Sequence, residues 1–433
     1  MDVIARDARH FGALIQLGNL LHRQGYRRAA RLTYAQAANA EPHNPIVDVN
    51  VGNTYLDDND LAKARAHFEQ ALARDPALPE AHQGMSYVFA RLGDEKSAAR
   101  HRDAGFAQRA ITEFPFRGEG PPVRVTLLVS ALGGNVNTAD FLDDRTFAVT
   151  RVFAEYAGSD ELPESDLVFN AIGDADRCAD ALRRVASWRA SASVVINRPE
   201  AVLATSRIEA GALLANIDGL RIPAAVRCER HALASNPGET LEACGLVPPV
   251  LLRALGYHTG MFFERAENLQ DAAEIALRLP GSDVAVVEYL DARALDGRYR
   301  KYRAMIVDGK LYPLHLAISD DWKVHYFTSQ TAQRAEHREL ERSFLNDMSS
   351  AVGARAIAAL EGIAAALGLD YAGIDFGLDG SGNVLFFEAN AAMIVPSRET
   401  NPDLAYRVPY QQAVIQAVRN MLLRRGGKAG LGV

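Results

Sequence analysis

The chain has 433 residues, 48% of them hydrophobic, and a formal net charge of −7 at pH 7. That is enough apolar content for roughly two or three cores in a globular protein, and the dispersed Lys and Arg form no basic stripe, which argues against nucleic acid as a partner. No run approaches the roughly 18–20 apolar residues of a spanning helix and the start carries no apolar leader, so a cytoplasmic protein without membrane contact is expected.

The first hundred or so residues repeat. Gly18 and Gly52, Pro42 and Pro76, Tyr34 and Phe68, and Ala37 and Ala71 are each 34 positions apart, while Ala30, Ala64 and Ala98, with Leu21, Tyr55 and Phe89, carry the series into a third copy. Small residues where two helices cross and Pro after the second helix, at this period, resemble the tetratricopeptide repeat. The third copy departs from the pattern at Ser86, Arg102 and Gly105, as a capping unit would. Stacked helix pairs leave a concave face, so residues 1–114 are expected to hold a peptide or protein partner, or else to brace or dimerise the downstream domain. With 14 Lys/Arg and 13 Asp/Glu between residues 1 and 110, a net of +1, charge does not separate these roles.

Residues 115–122, rich in Pro and Gly, form a linker. Over 123–222 strand-like runs at 123–129, 147–153, 166–170 and 193–197 alternate with helical stretches, the pattern of a small α/β domain whose ligands lie beyond the carboxyl ends of its strands. Asn135, Asn137 and Asn170 fall there, as ligand contacts or as ordinary turn residues. Cys178, Cys228 and Cys244 have no metal spacing and are expected to be free thiols.

A region richer in strand pairs spans 223–425. A strand ending at Arg253 is followed by Gly256, His258 and Gly260 and by a second strand over 261–264, a glycine-bounded loop able to close over phosphates beside a cation. The buried-type strand into Glu288, Tyr289, Leu290 and Asp291 ends at a polar stop suited to an adenine edge. Lys301 and Arg303 alternate onto one face of a strand that turns at Asp308 and Gly309, which calls for anions unless the strand is a charged, exposed edge. His258, His315 and His325 are candidate bases or structural histidines. An alanine-rich helix is expected over 341–367, and the Arg424, Arg425 and Lys428 tail, with Gly426 and Gly427, reads as a solvated helix end.

The most informative segment comes last. Strands over 371–378 and 384–388 flank Gly380, Ser381, Gly382 and Asn383, the residues of a tight turn. A two-residue loop at Ser381 and Gly382 sets Asp375 directly opposite Glu388, with Asn390 on the same face as Glu388. Facing carboxylates destabilise a ladder, so two of them plus an amide oxygen point to a hard cation such as Mg²⁺. Asp379, next to the turn, reads as turn chemistry.

The order of Asn197, Arg198 and Pro199, then Arg253, then Glu288, Tyr289 and Leu290, then Lys301 and Arg303, then Asp375, Glu388 and Asn390 resembles the ATP-grasp superfamily over roughly residues 121–425. The resemblance implies a multidomain chain: an all-α tetratricopeptide repeat module, an α/β pre-ATP-grasp domain over 123–222, an α+β ATP-grasp domain over 223–425 and a tail over 426–433. It implies a carboxylate–amine ligase that forms an amide through an acyl phosphate, acting on an amino acid, peptide or protein tail and using ATP with Mg²⁺, in two ions and with Mn²⁺ as a substitute. Asp375, Glu388 and Asn390 would hold metal, and Arg253, Gly256, His258, Gly260 and Lys301 the phosphates. Glu288, Tyr289, Leu290 and Asp291 would flank the nucleoside, with Asp291 or Asp296 at the ribose, and Arg303 with Lys301 would be catalytic. Arg253 stands where many members have lysine, which keeps the charge and changes its geometry. The alternative is a nucleotide-binding scaffold without catalysis whose repeats bind protein. Oligomerisation stays open.

Overall fold

The computed structural model describes residues 6–158, 162–188, 194–206, 209–255, 262–324, 329–399 and 401–427. Two compact units emerge: one runs to Thr112 and takes in Val152–Gly158, the other holds Glu113–Arg151 and the chain beyond. The architecture is helical repeats followed by mixed α/β structure.

In the first unit three helix pairs follow one another, Phe11–Arg23 with Arg27–Ala40, Ile46–Asp57 with Leu61–Arg74, and Pro79–Leu92 with Glu95–Phe106. Glycines fix how closely they cross. A Cβ at Gly18 would stand 2.3 Å from the Tyr34 ring, and one at Gly52 or Gly84 would stand 2.7 or 2.3 Å from that of Phe68. Tyr34 and Phe68 are fully buried there. Asp60 and Asp94, also 34 apart, each cap a second helix by accepting from Lys63 N and Ser97 N.

Among the described residues the strands form three sheets. Strands β1 (Ile111–Glu113), β2 (Val123–Val129), β3 (Phe147–Phe153), β4 (Leu167–Asn170) and β5 (Val195–Ile196) form a sheet in the order β1-β3-β2-β4-β5, with β4 parallel to β2 and β5; β1 and β3 straddle the division between the units. After β6 (Leu220–Arg221), the strands β7 (Ala225–Glu229), β8 (Val250–Ala254), β9 (Phe263–Ala266) and β10 (Asp283–Glu288) make an antiparallel sheet in the order β7-β10-β8-β9. The third sheet has the order β12-β11-β13-β14-β6, from β11 (Tyr299–Val307), β12 (Lys310–Ser319), β13 (Tyr371–Leu378) and β14 (Val384–Asn390) with β6. Pro313 lies on β12, an edge strand, where a missing N–H is tolerated.

Several sequence expectations need correction. The helix expected over 341–367 is three helices, Ala335–Asn346, Met348–Val352 and Ala354–Leu367. Asp347 caps the second by accepting from Ser350 N, and Gly353, at φ +87°, interrupts the helical path before the third. Nor is the basic tail simply solvated: Arg424 and Arg425 both pair with Asp308, and Arg425 reaches Asp370 at 2.6 Å; Lys428 lies outside the described residues.

The hairpin loop also differs. It has three residues, 380–382, closed by Asp379 N donating to Asn383 O at 3.0 Å, with Gly382 at φ +78°. Three-residue closure gives the pairs Leu378 with Val384, Gly377 with Leu385 and Phe376 with Phe386. A bulge at Phe387 then shifts the register by one and restores Asp375 opposite Glu388. The expected pairing is therefore present through two departures that cancel. As expected of turn chemistry, Asp379 Oδ1 accepts from Ser381 N and Asn383 N.

Candidate active site

Asp375 is the centre of the site. On the middle strand of its sheet, it is flanked by Arg303 of β11 on one side and Glu388 of β14 on the other. Its carboxylate has no solvent exposure and accepts from Lys301 Nζ at 2.8 Å, Arg303 Nε at 2.5 Å and Arg303 Nη2 at 2.8 Å. Lys301 and Arg303, two apart on β11, share a face and converge on this one anion, so β11 is not the exposed, charge-guarded edge that the sequence also allowed. Burial alone would push the Asp375 carboxyl up; the charges of Arg303 and Lys301 outweigh it and hold it well below the usual carboxylate range. Arg303 shows the converse, with burial lowering and Asp375 raising a guanidinium that stays charged.

His315 of β12 pairs across the ladder with Arg303. It is buried, and desolvation followed by the Arg303 charge holds its pKa well below the ordinary histidine value, so the ring is neutral at pH 7. His258 and His325 lie outside the described residues.

The donors on β13 and β14 fit a hard cation. Two carboxylates and an amide oxygen are the ligand chemistry of Mg²⁺; among the described residues no group of three or more His, Cys, Asp and Glu side chains comes together to hold a metal, here or at another place. Asn390 Oδ1 accepts from Ala392 N at 2.7 Å, and a carbonyl oxygen keeps a second lone pair for a further partner. Lys301 and Arg303 occupy positions on Asp375 that a cation would have to share.

A cleft beside Glu388 and Asn390 is also lined by Asp174, Asp176, Ile222 and Phe387. The turn bearing Asp174 comes after β4 and is held close. Gly134 O accepts from Gly173 N and Asp174 N at 3.0 and 3.1 Å, and a Cβ on Gly173 would stand 2.5 Å from Ala392 N.

The other expected ligand residues are distributed around the four-stranded sheet. Arg253 lies on β8 opposite Phe263, its guanidinium carbon 5.6 Å from that ring centre. Gly256, His258 and Gly260 lie outside the described residues. Glu288, at the end of β10, accepts from Ala224 N at 3.1 Å and Arg221 Nη2 at 3.2 Å. The Tyr289 ring carries the Arg265 guanidinium at 3.9 Å. Leu290 joins Ala292, Leu385 and Phe387 in a small apolar cluster. Asp291 pairs with Arg293, and Asp296 with Arg300.

The asparagines that the sequence left as ligand contacts or ordinary turn residues make hydrogen bonds to nearby backbone. Asn135 exchanges two hydrogen bonds with the Ser130 backbone, and Asn137 accepts from Ala139 N. Asn170 donates to Asn197 O. Asn197, at φ +54°, accepts from Asp370 N and Tyr371 N and donates to Tyr371 O, tying the end of β5 to the start of β13. A second support had no signal in the sequence. Glu341, fully buried on the Ala335–Asn346 helix, accepts from Leu316 N of β12, from Arg407 Nε at 2.9 Å and from the Tyr406 hydroxyl.

A tetratricopeptide repeat family model matches residues 49–78. Cellulose synthase operon protein C of Pseudomonas fluorescens is 32% identical over 83 residues, 19% of this chain, and this chain spans only 6% of that protein's length. Among solved structures, this chain is similar to the RimK domain ATP-grasp protein of Sphaerobacter thermophilus, at 18% identity and a TM-score of 0.43 over 69% of this chain and 99% of that one. It is also similar to the VanG D-Ala:D-Ser ligase of Enterococcus faecalis, at 13% identity and a TM-score of 0.40 over 68% of this chain and 100% of that one.

Proposed function

We propose that the chain is an ATP-dependent carboxylate–amine ligase of the ATP-grasp type, forming an amide through an acyl phosphate on an amino acid, peptide or protein tail. The observation that carries this is the buried Asp375 carboxylate, opposite Glu388 and clasped by Lys301 and Arg303. Phosphoryl transfer needs positioning and charge neutralisation more than a protein nucleophile, and this constellation supplies both signs of charge on adjacent strands.

Asp375, Glu388 and Asn390 would hold Mg²⁺, which when bound neutralises phosphate oxygens as charge develops. Asp375 fixes the Arg303 fork in its plane by two hydrogen bonds, so the guanidinium is already oriented. Lys301, whose ammonium makes one hydrogen bond to Asp375 among the described residues, is the more readily redirected of the two cations towards a phosphate. Arg253 adds a cation from β8. The cluster of Leu290, Ala292, Leu385 and Phe387 gives an apolar surface suited to a purine face beside the Glu288–Leu290 backbone. The acid attacks the γ-phosphorus, ADP leaves, and an amine displaces phosphate from the acyl phosphate. The repeats would present the peptide or protein that carries one of these groups.

The test is Mg²⁺-dependent release of ADP and phosphate with pooled amino acids and short peptides, with products read by mass spectrometry. A condensed product that needs both an acid and an amine, formed by the native protein and reduced at least about a hundredfold in Glu388→Ala and Arg303→Ala, is expected. Nucleotide binding with no turnover across the pool, or turnover unchanged in Glu388→Ala, would refute the assignment.

A further inference from the structure

We propose that Cys228 and Cys244 form a redox-active dithiol that closes reversibly to an intramolecular disulfide, a modification site independent of the ligase chemistry. Their sulfur atoms lie 3.3 Å apart, 16 residues apart in sequence. Cys228 stands on β7 opposite Val284 of β10 and is buried in a core with Leu233, Leu241 and Leu246. Cys244 is the C-cap of the Pro237–Ala243 helix and is only partly buried, packed against the same core. One thiol is thus accessible to a small reagent and the other waits behind it in direct contact. The third cysteine is set apart from this pair: Cys178 is fully buried and donates to Gly133 O.

The chemistry comes from that asymmetry. Cys244 is the more exposed of the two and is the first nucleophile, while burial and the neighbouring Cys244 push the Cys228 thiol up to about 12. Its thiolate attacks one sulfur of a low-molecular-weight disulfide such as oxidised glutathione, forming a mixed disulfide and releasing one glutathione thiolate. Cys228 then gives its proton to the medium and attacks the Cys244 sulfur, expelling the second thiolate. Two protein thiols and one glutathione disulfide become one protein disulfide and two glutathione thiols. The bond would join the edge strand β7 to the end of the nearby Pro237–Ala243 helix, in the sheet that also carries Arg253 on β8 and leads through β10 into Glu288.

The full-length protein, native and without denaturant, is equilibrated in glutathione buffers of graded ratio, quenched with acid, alkylated and analysed by intact mass and peptide mapping. The expected product has lost two hydrogens, retains one alkylatable thiol, links the Cys228 and Cys244 peptides and reverts with dithiothreitol. Cys228→Ser should instead stop at one bound glutathione on Cys244, Cys244→Ser should resist modification, and Cys178→Ser should close as the native chain does. Three free thiols at the most oxidising ratio, a link involving Cys178, or closure only after denaturant is added would each overturn the proposal. The readout needs no nucleotide or turnover, so it stands or falls separately from the ligase assignment.

Discussion

The repeat unit and the β11–β13–β14 site achieve order by opposite means. In the repeats, partners lie close along the chain and recur, as Gly18 with Tyr34 and Gly52 with Phe68, and the energy is apolar packing against glycine-sized gaps. At the site, partners lie 72 and 74 residues apart, as Arg303 and Lys301 with Asp375, and the energy is the mutual compensation of buried charges. Packing degrades gradually as atoms are removed, whereas a buried ion set fails when one member is lost, because the remainder is left uncompensated. One region therefore tolerates drift and the other demands a fixed register.

Removing the hub of the ion set should have the largest effect. Asp375→Ala leaves two largely buried cations facing each other, and it should cost about 3–5 kcal/mol of stability and abolish Mg²⁺-dependent ADP release; urea denaturation and the turnover assay read the two. Replacing the set together, with Lys301→Met, Arg303→Met and Asp375→Leu, should recover most of that stability without activity. If the single variant is no less stable than the triple one, charge compensation is not what holds the site.

In the repeats, Phe68→Ala should cost about 3–5 kcal/mol through a cavity that Gly52 and Gly84 cannot fill. Gly52→Val should cost about 1–3 kcal/mol by overpacking against the same ring. Both would be measured by denaturation, and a smaller loss from Phe68→Ala than from Gly52→Val would show that close approach matters more than filled volume.

Acidification separates the regions more gently. The folded pKa of His315 lies below its unfolded value of about 6.5, as do those of His101 and His337 in direction. The unfolded chain therefore takes up these protons first. Their stabilisation is complete above about pH 6.5 and is lost as pH falls; Asp375, depressed as a carboxylate, adds a further loss below about pH 4. His315→Phe should flatten the decline of the denaturation midpoint between about pH 6.5 and 5, and an unchanged slope would show that His315 does not contribute to it. The smallest effect is expected of Asp94→Ala, which deletes one exposed helix cap and should lower the melting temperature only slightly.

Legibility in the sequence divides along the same line. A 34-residue period repeats its own evidence, so Gly18, Tyr34 and their copies disclose the helix pairs, and the Asp60 and Asp94 caps, which share that period, are a further signal of the same kind. The strands β13 and β14 are legible from their apolar character and their turn residues. The facing of Asp375 and Glu388 is legible only in outcome, because the three-residue loop and the bulge at Phe387 leave no local mark and offset each other. Asn197 carries a partial signal: an Asn tolerates the left-handed conformation it adopts, but nothing near it in sequence says that it bonds to Asp370 and Tyr371. The Glu341, Arg407 and Tyr406 network has no signal, since nothing near Glu341 in sequence says that its helix lies against Leu316.

By itself, then, the sequence determined the helical repeats, the alternation of strands and helices after them, and the presence of paired carboxylates and paired cations, because periodicity and turn propensity act over neighbouring residues. Only the tertiary structure decided that those charges meet at one buried carboxylate, that Cys228 touches Cys244, and that the 424–425 arginines close on Asp308. Such contacts depend on strand register and on which faces pack together, and these are settled by the burial of the whole unit.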